Sequence, residues 1–374
     1  MRIRGAVLDD ADRPRPFASS RPLGVYDLEL DEPGPTEVLV RIEAAGVCHS
    51  DLSVVDGSRS RPLPMLLGHE AAGIVVALGG QVDELAVGDR VVMSFLPRCE
   101  RCAACARGGR LPCTEGTRAN TAGELLHHPG RLTRAGTPVR HHLGVSGFAT
   151  HAVIDQASLV AVGADVPPEV AALFGCAVLT GGGAVLNVAA PGPADDLMVV
   201  GLGGVGMAAL LTANAIGLRR IVAVDRLPAK LTAARELGAT EVYTPEQVAA
   251  EGIRACYVLE CAGHPAAFGT AFAATAPGGT TITVGLPAPT ATVALSPLTL
   301  TAEARTVVGS YLGSSVPARD IPRYEQMWRS GRLPVEKLIS ARIGLDDLNE
   351  AMDRLADGTA VRQVIMFGAE TADR

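Results

Sequence analysis

Hydrophobic residues along this chain fall into two different rhythms. Up to about residue 95 they come in short runs broken by glycine and proline. Ile3, Ala6 and Val7 begin one strand, and Val38-Leu39-Val40-Arg41-Ile42 forms another after the turn signal Pro33-Gly34-Pro35. Ala72-Gly73-Ile74-Val75-Val76 and Arg90-Val91-Val92-Met93 flank the turn Val87-Gly88-Asp89. Short strands with glycine turns predict a small, irregular β-barrel. Residues 114–142 show neither rhythm and are expected to form a variable loop. Its paired histidines, His127-His128 and His141-His142, are expected to be solvated, because adjacent histidines on a loop point apart.

From about residue 184 helical and strand segments alternate. Ala184 to Ala189 is predicted helical and is closed by Pro191-Gly192-Pro193. Strands are predicted at Leu197–Val200, Ile221–Val224, Tyr257–Glu260 and Thr281–Gly285. Helices are predicted at Met207–Gly217, Lys230–Gly238 and Ala266–Ala274. This alternation predicts a doubly wound parallel sheet, with Cys256 and Cys261 as core cysteines beside its strands. A last helix, Leu345 to Leu355, and a strand, Gln363 to Met366, are expected to return to the first domain.

The first strand of the second region runs into Gly201-Leu202-Gly203-Gly204-Val205-Gly206, and the second ends at Asp225. Alone, a G-x-G-x-x-G is weak evidence. Here it has a strand before it, a helix after it and an acid about twenty residues on. Gly201, Gly203 and Gly206 allow a tight turn and close backbone approach, and the helix N-terminus faces a pyrophosphate. Asp225 would accept hydrogen bonds from an adenosine ribose and repel a 2′-phosphate, which favours NAD over NADP. Arg226 beside it pulls the other way. The uncharged run Leu197 to Leu218 is long enough to span a bilayer, but this glycine turn would break such a helix.

Composition narrows the picture. The chain has 374 residues, 48% hydrophobic and only 3% aromatic, which suits two domains with closely packed sheets and helices. A formal charge of −7 gives no reason to expect nucleic acid or an anionic membrane as partner. Eight cysteines in so long a chain do not make a disulfide-dense scaffold, and the N-terminus lacks the apolar core of a signal peptide. A cytoplasmic protein with reduced thiols is expected.

Cys99, Cys102, Cys105 and Cys113 lie within fifteen residues, a spacing that wraps one ion tetrahedrally. Four thiolates close the coordination sphere, so this metal would stabilise a loop and do no chemistry. A nucleic-acid-binding zinc knuckle and a disulfide pair are the alternatives. Acidity and the absence of neighbouring aromatics disfavour the first, and compartment the second. A separate set, Cys48, His69 and Cys176, offers two thiolates and one imidazole with no fourth ligand. That is the demand of a catalytic zinc, which keeps one position open. The bland alternative is two buried cysteines and a satisfied core histidine.

Taken together, Gly46-Val47-Cys48-His49-Ser50-Asp51, Gly68-His69-Glu70, the four-cysteine lobe, Gly175-Cys176 with Thr180-Gly181, the glycine turn and Asp225 resemble the zinc-dependent alcohol dehydrogenases of the medium-chain dehydrogenase superfamily. The resemblance covers essentially the whole chain. It implies an α/β fold: a GroES-like β-barrel catalytic domain, residues 1–177 and 312–374, interrupted by a Rossmann NAD-binding domain, residues 178–311, with the active site in the cleft between them. It makes Cys48, His69 and Cys176 the catalytic zinc ligands, with Asp51 holding His69 and Glu70 behind the metal. Ser50 would take the substrate's hydroxyl proton. His49 and Arg362 would touch the cofactor's phosphates, and Lys230 would join Asp225 at the ribose. Thr180, Val205 and Val284 would back the nicotinamide, and Phe95 and Leu143 would line the substrate pocket.

The implied activity is hydride transfer between a small uncharged alcohol, with its aldehyde or ketone, and NAD. Two zincs per chain and a homodimer or homotetramer are implied as well. One departure stands out: the position where many members carry a relay histidine is best matched by Ser53. A thiol-dependent formaldehyde dehydrogenase of the same family is a rival reading. Its substrate is held by an arginine whose place Thr117 takes here, with Arg118 next to it. A non-catalytic zinc-stabilised binding protein is a second rival.

Overall fold

The computed structural model describes residues 1–368; the last part of the expected C-terminal segment, 369–374, lies outside the described residues. Contacts divide the chain into two compact units. The first holds Met1–Cys176, Val316–Glu325 and the chain from Ile339 onward. The second holds Ala177–Ser315 and Gln326–Leu338. The sequence reading gave residues 312–315 and 326–338 to the first unit. Leu312–Ser315 belongs with the second because it turns onto the helix Leu179–Gly183, where Ser315 Oγ donates to the Leu179 carbonyl at 3.0 Å.

In the first unit, Arg2–Leu8, Leu23–Leu30, Leu132–Arg134, Thr137–His141 and Met65–Leu66 close into a barrel. Beside it, seven strands among the described residues form a second sheet. Its central strand, Glu37–Val47, pairs antiparallel with Ala71–Leu78, His151–Asp155 and Arg362–Met366. Val38, Val40 and Ile42 on this strand are buried in a core with Val75, Val91, Met93, Phe148 and Ile365. Alternation of β-branched residues places that face inward. The strand ends at Val47, so the packed sheet delivers Cys48 at a fixed point.

Residues 114–142, expected to form a variable loop, hold regular structure. They form a helix, Thr114–Ala122, and the two-stranded hairpin that helps close the barrel. Cys113 caps the helix by accepting from the Gly116 amide, and Gly123 ends it in the left-handed conformation. The hairpin turns at Ala135-Gly136, both left-handed. Alanine there hides a turn that Asn-Gly would have announced.

The second unit is a six-stranded parallel sheet among the described residues, in the order Glu241–Tyr243, Ile221–Val224, Leu197–Val200, Ala255–Glu260, Thr275–Thr283, Thr306–Gly309. The uncharged run 197–218 resolves into a strand, the glycine turn and the helix Gly204–Ala215. A different stretch, Pro168–Ala189, is helical throughout and apolar enough to cross a membrane, but it lies largely buried inside the protein. Cys256 and Cys261, expected in the core, are half-buried: Cys256 is the second residue of the strand Ala255–Glu260 and Cys261 directly follows it.

Candidate functional site

Cys48 follows the central strand and caps the helix His49–Val55. Three residues on, Asp51 turns back: its Oδ2 accepts from the Cys48 amide at 3.1 Å. Its Oδ1 accepts from the Gly68 amide and faces His69 Nδ1, each at 3.1 Å. Gly68 needs its left-handed backbone, and a Cβ there would stand 2.5 Å from the Phe148 amide nitrogen. His69 is thus held with Nε2 free to point the other way, 3.5 Å from Cys176 Sγ. Cys176 sits in a π-helical stretch, Phe174–Val178, of the long buried helix. The Cys48, His69 and Cys176 donor atoms all lie within 4.8 Å of one another, and all three residues are buried.

The electrostatics favour positive charge at this point. Cys176 donates toward Cys48 and pushes the Cys48 thiol down, burial resisting; the Cys176 thiol moves up in consequence. Burial opposes the charge of Asp51, yet His69 and His142 outweigh it and hold the carboxyl down to about 2. Two soft thiols and an imidazole whose other nitrogen is fixed by a carboxylate match zinc, with its usual outer partner already in place. Behind them Glu70 is fully buried, and burial pushes its carboxyl up to about 7.

Arg362, expected at the cofactor's phosphates, is buried in the first unit. Its Nη1 donates to the Val47 carbonyl at 3.3 Å and its Nη2 lies 3.8 Å from Glu70. That carboxylate, together with Cys48 and Cys176, sustains a charge that burial alone would oppose. His49 is exposed and Ser50 half-buried. Ser53 Oγ donates to the Ser50 carbonyl at 2.9 Å. Phe95 is buried with its ring edge-on to His69, centroids 5.6 Å apart. Leu143 is buried and left-handed, with φ +53°.

The sequence reading missed His142. Both His141 and His142, expected to be solvated, are buried. They fail that expectation because the hairpin carries them into the barrel. His141 Nε2 accepts from the Arg131 amide, and burial holds its pKa down to about 3. His142 Nδ1 stands 3.1 Å from Asp51 Oδ1. No local signal marks His142, because Asp51 lies far from it in the chain. His127 does meet the expectation of exposure and pairs with Asp155 at 2.8 Å.

The second cluster is local. Cys99, Cys102, Cys105 and Cys113 place their sulfurs within 4.8 Å of one another, with only Cys113 buried. Cys113 Sγ accepts from the Cys99 and Gly116 amides at 3.4 and 3.3 Å. Backbone donors, that of Cys105 first, push the Cys102 thiol down to about 5. Four converging sulfurs with amide donors suit a closed tetrahedral metal.

In the second unit, Gly206 packs so closely that a Cβ would stand 2.0 Å from the Gly201 carbonyl oxygen. Gly203 faces open space, and the helix it starts has no side-chain cap, leaving its amides for an anion. Asp225 has both oxygens on the backbone: Oδ2 accepts from Leu202 at 2.8 Å and Oδ1 from Leu227 at 3.0 Å. It therefore clamps the glycine turn itself. Thr180 and Val284 are buried, and Lys230 and Val205 half-buried. The helix bearing Thr180 packs tightly on Gly204–Ala215, since a Cβ on Gly181 would stand 2.1 Å from the Val205 carbonyl oxygen.

The family model for the alcohol dehydrogenase GroES-like domain matches residues 34–164, and that for zinc-binding dehydrogenase matches 204–330. A geraniol dehydrogenase of Castellaniella defragrans is 39% identical over 356 residues, covering 92% of this chain and 95% of that protein. Among solved structures, a benzyl alcohol dehydrogenase from Acinetobacter calcoaceticus has a TM-score of 0.90 at 30% identity, covering 98% of this chain and all of that one. An alcohol dehydrogenase zinc-binding domain protein from Burkholderia ambifaria has a TM-score of 0.91 at 31% identity, covering 98% and 99%.

Proposed function

This chain belongs to the zinc-dependent alcohol dehydrogenases of the medium-chain dehydrogenase superfamily, and from that membership we propose that it oxidises apolar primary alcohols of the allylic or benzylic kind with NAD. The coarse activity, interconversion of an alcohol and its carbonyl compound, comes with the family. The finer reading draws support from relatives named for geraniol and benzyl alcohol, and from the aromatic edge of Phe95 beside His69.

The observation that carries the reading is the convergence of Cys48, His69 and Cys176 with His69 Nδ1 on Asp51. We assign these three as ligands of a catalytic zinc, and Cys99, Cys102, Cys105 and Cys113 as ligands of a second, structural zinc. A zinc ion at the first site supplies Lewis acidity toward the substrate oxygen. Bound NAD supplies the hydride acceptor. The chain's own residues do the rest. Asp51 orients His69, Phe95 and Leu143 exclude water from the substrate's carbon, and Ser50 Oγ takes the hydroxyl proton. Gly201, Gly203 and Gly206 let the backbone meet the pyrophosphate, with Asp225 fixing the turn and His49 and Lys230 adding positive charge. Thr180, Val205 and Val284 back the nicotinamide.

Six cysteines suited to metal and none paired in a disulfide among the described residues support a reducing, cytoplasmic setting. A homodimer or homotetramer is supported by the uncharged edge strand Thr306–Gly309 and by exposed Leu286, Val293 and Leu298 nearby in sequence. Arg118 is engaged by Glu115 and Glu124, which argues against its holding a charged thiol adduct.

The test is metal analysis with a substrate panel followed by NADH absorbance. Geraniol and benzyl alcohol should turn over well and sorbitol poorly. Formaldehyde activity that requires glutathione would instead favour the thiol-dependent reading, and faster reduction of NADP than of NAD would refute the cofactor assignment. Ser50→Ala should lower kcat ~10²–10⁴-fold, the usual range for general acid–base help. An unchanged rate would remove Ser50 from the proton path.

A further inference from the structure

Asp51 Oδ1 has three nitrogens around it. The Gly68 amide and His69 Nδ1 are described above, and His142 Nδ1 is the third, also at 3.1 Å. This last nitrogen is buried and has no aligned hydrogen-bond partner. Two acceptor lone pairs held 3.1 Å apart in a dry site would repel. The proton of a neutral His142 therefore belongs on Nδ1, facing the carboxylate along a bent line. The ring stands edge-on to His69, centroids 5.4 Å apart and planes at 89°.

The backbone fixes His142 in this place. Its amide donates to Ser146 Oγ at 3.0 Å, and that hydroxyl donates to the Leu66 carbonyl at 3.0 Å. The amides of Val145 and Ser146 return to the His142 carbonyl. Leu143 and Gly144 are both left-handed within this turn. A leucine held there at φ +53° is strained, so the surrounding structure must over-determine the turn.

We propose that His142 is a positioning residue for the metal site: it gives Asp51 a second imidazole donor and keeps that carboxylate turned toward His69. The proposal rests on the reading of Cys48, His69 and Cys176 as zinc ligands. Without His142, a carboxylate buried among few donors is free to rotate away from His69, and the imidazole loses its fixed tautomer and angle. Loss of the donor should then loosen one metal and leave the four-cysteine metal untouched.

The experiment uses the zinc-loaded enzyme and follows zinc release to a chromogenic chelator. His142→Phe keeps the ring's bulk and has no donor. His142→Asn loses bulk but keeps an N–H close to where Nδ1 stood. Since removing a ligand's outer partner typically weakens metal binding ~10–100-fold, a residue one step further out should speed release of one zinc by ~3–10-fold in His142→Phe. His142→Asn should stay within about twofold of wild type. A pure packing role predicts the reverse order, and that order, or wild-type release from His142→Phe, overturns the proposal. If the Phe variant does not fold, His142→Leu takes its place as the donor-free variant. Cobalt substituted at the site gives an independent readout: its visible spectrum should shift in His142→Phe and be restored in His142→Asn. Cys176→Ser separates the two levels. If it retains all the metal of wild type, the ligand assignment fails; if it loses one zinc while His142→Phe matches wild type, only the positioning role fails.

Discussion

The two cysteine clusters differ in how far apart their donors lie along the chain. Cys99, Cys102, Cys105 and Cys113 come from one half-exposed loop, and their sulfurs lean on amides within that loop. Cys48, His69 and Cys176 come from three remote segments. They meet because a strand end, a glycine turn and a widened helix converge in a buried place. The first arrangement is a clamp on a loop, and removing it should cost stability. The second is an output of the finished fold, with Asp51, His142, Glu70 and Arg362 around it. Removing a donor there should cost chemistry and leave the fold standing.

The sharpest way to break this contrast is Cys176→Ser, which should abolish turnover while leaving the far-ultraviolet spectrum and melting midpoint near wild type. A large loss of thermal stability would show that the buried cluster is structural too. Cys102→Ser should do the opposite. Loss of a structural metal ranks among the large destabilising mechanisms, and its midpoint should fall by ~10 °C with kcat per folded molecule kept. Metal content by mass spectrometry should fall by one zinc in each variant.

Asp51→Asn keeps the side chain's shape and removes its charge. Zinc at the buried cluster should bind ~10–100-fold more weakly, with no change at the four cysteines. Equal weakening at both sites, measured by chelator competition, would mean that Asp51 acts on the fold at large. The last prediction concerns a histidine outside both clusters. Burial holds His141 down to about 3, against about 6.5 for an unfolded histidine. Between those values the unfolded chain binds a proton that the folded chain refuses. Stability is therefore full above about pH 6.5 and drops by up to about 1.4 kcal/mol per unit as pH falls toward 3. His141→Gln keeps an acceptor for the Arg131 amide but cannot titrate there. Urea midpoints measured from pH 7 to 4 should fall less steeply for the variant, and parallel curves would refute the assignment.

Where a pattern repeats or a spacing is short, the sequence was enough. Parallel strands such as Leu197–Val200 and Ile221–Val224 are continuous apolar runs, because both of their faces are buried, and the structure has them with the expected bounds. The four cysteines announce themselves by proximity. His142 was invisible because its function comes from a neighbour in space, Asp51, that lies far away in sequence. The hairpin that brings it there turns on Ala135-Gly136, which carries little turn signal. The surroundings of Arg362 were hidden for a related reason. Only the fold reveals that Glu70 and the Val47 carbonyl surround its guanidinium. Asp225 illustrates a subtler limit: its position was legible, but not that one of its oxygens holds the glycine turn at Leu202 while the other accepts from the nearby Leu227 amide.

The spread of the buried donors along the chain also sets an order of biosynthesis. Ribosomes add roughly 5–20 residues per second. The four-cysteine loop is complete once Cys113 has emerged, while Cys176 follows roughly sixty residues later. For several seconds the nascent chain can load one metal and not the other. The late site also needs the sheet that delivers Cys48 and the turn that sets His69 to be folded first. When zinc is scarce during synthesis, the nascent chain can therefore fill its loop before its reaction centre can form.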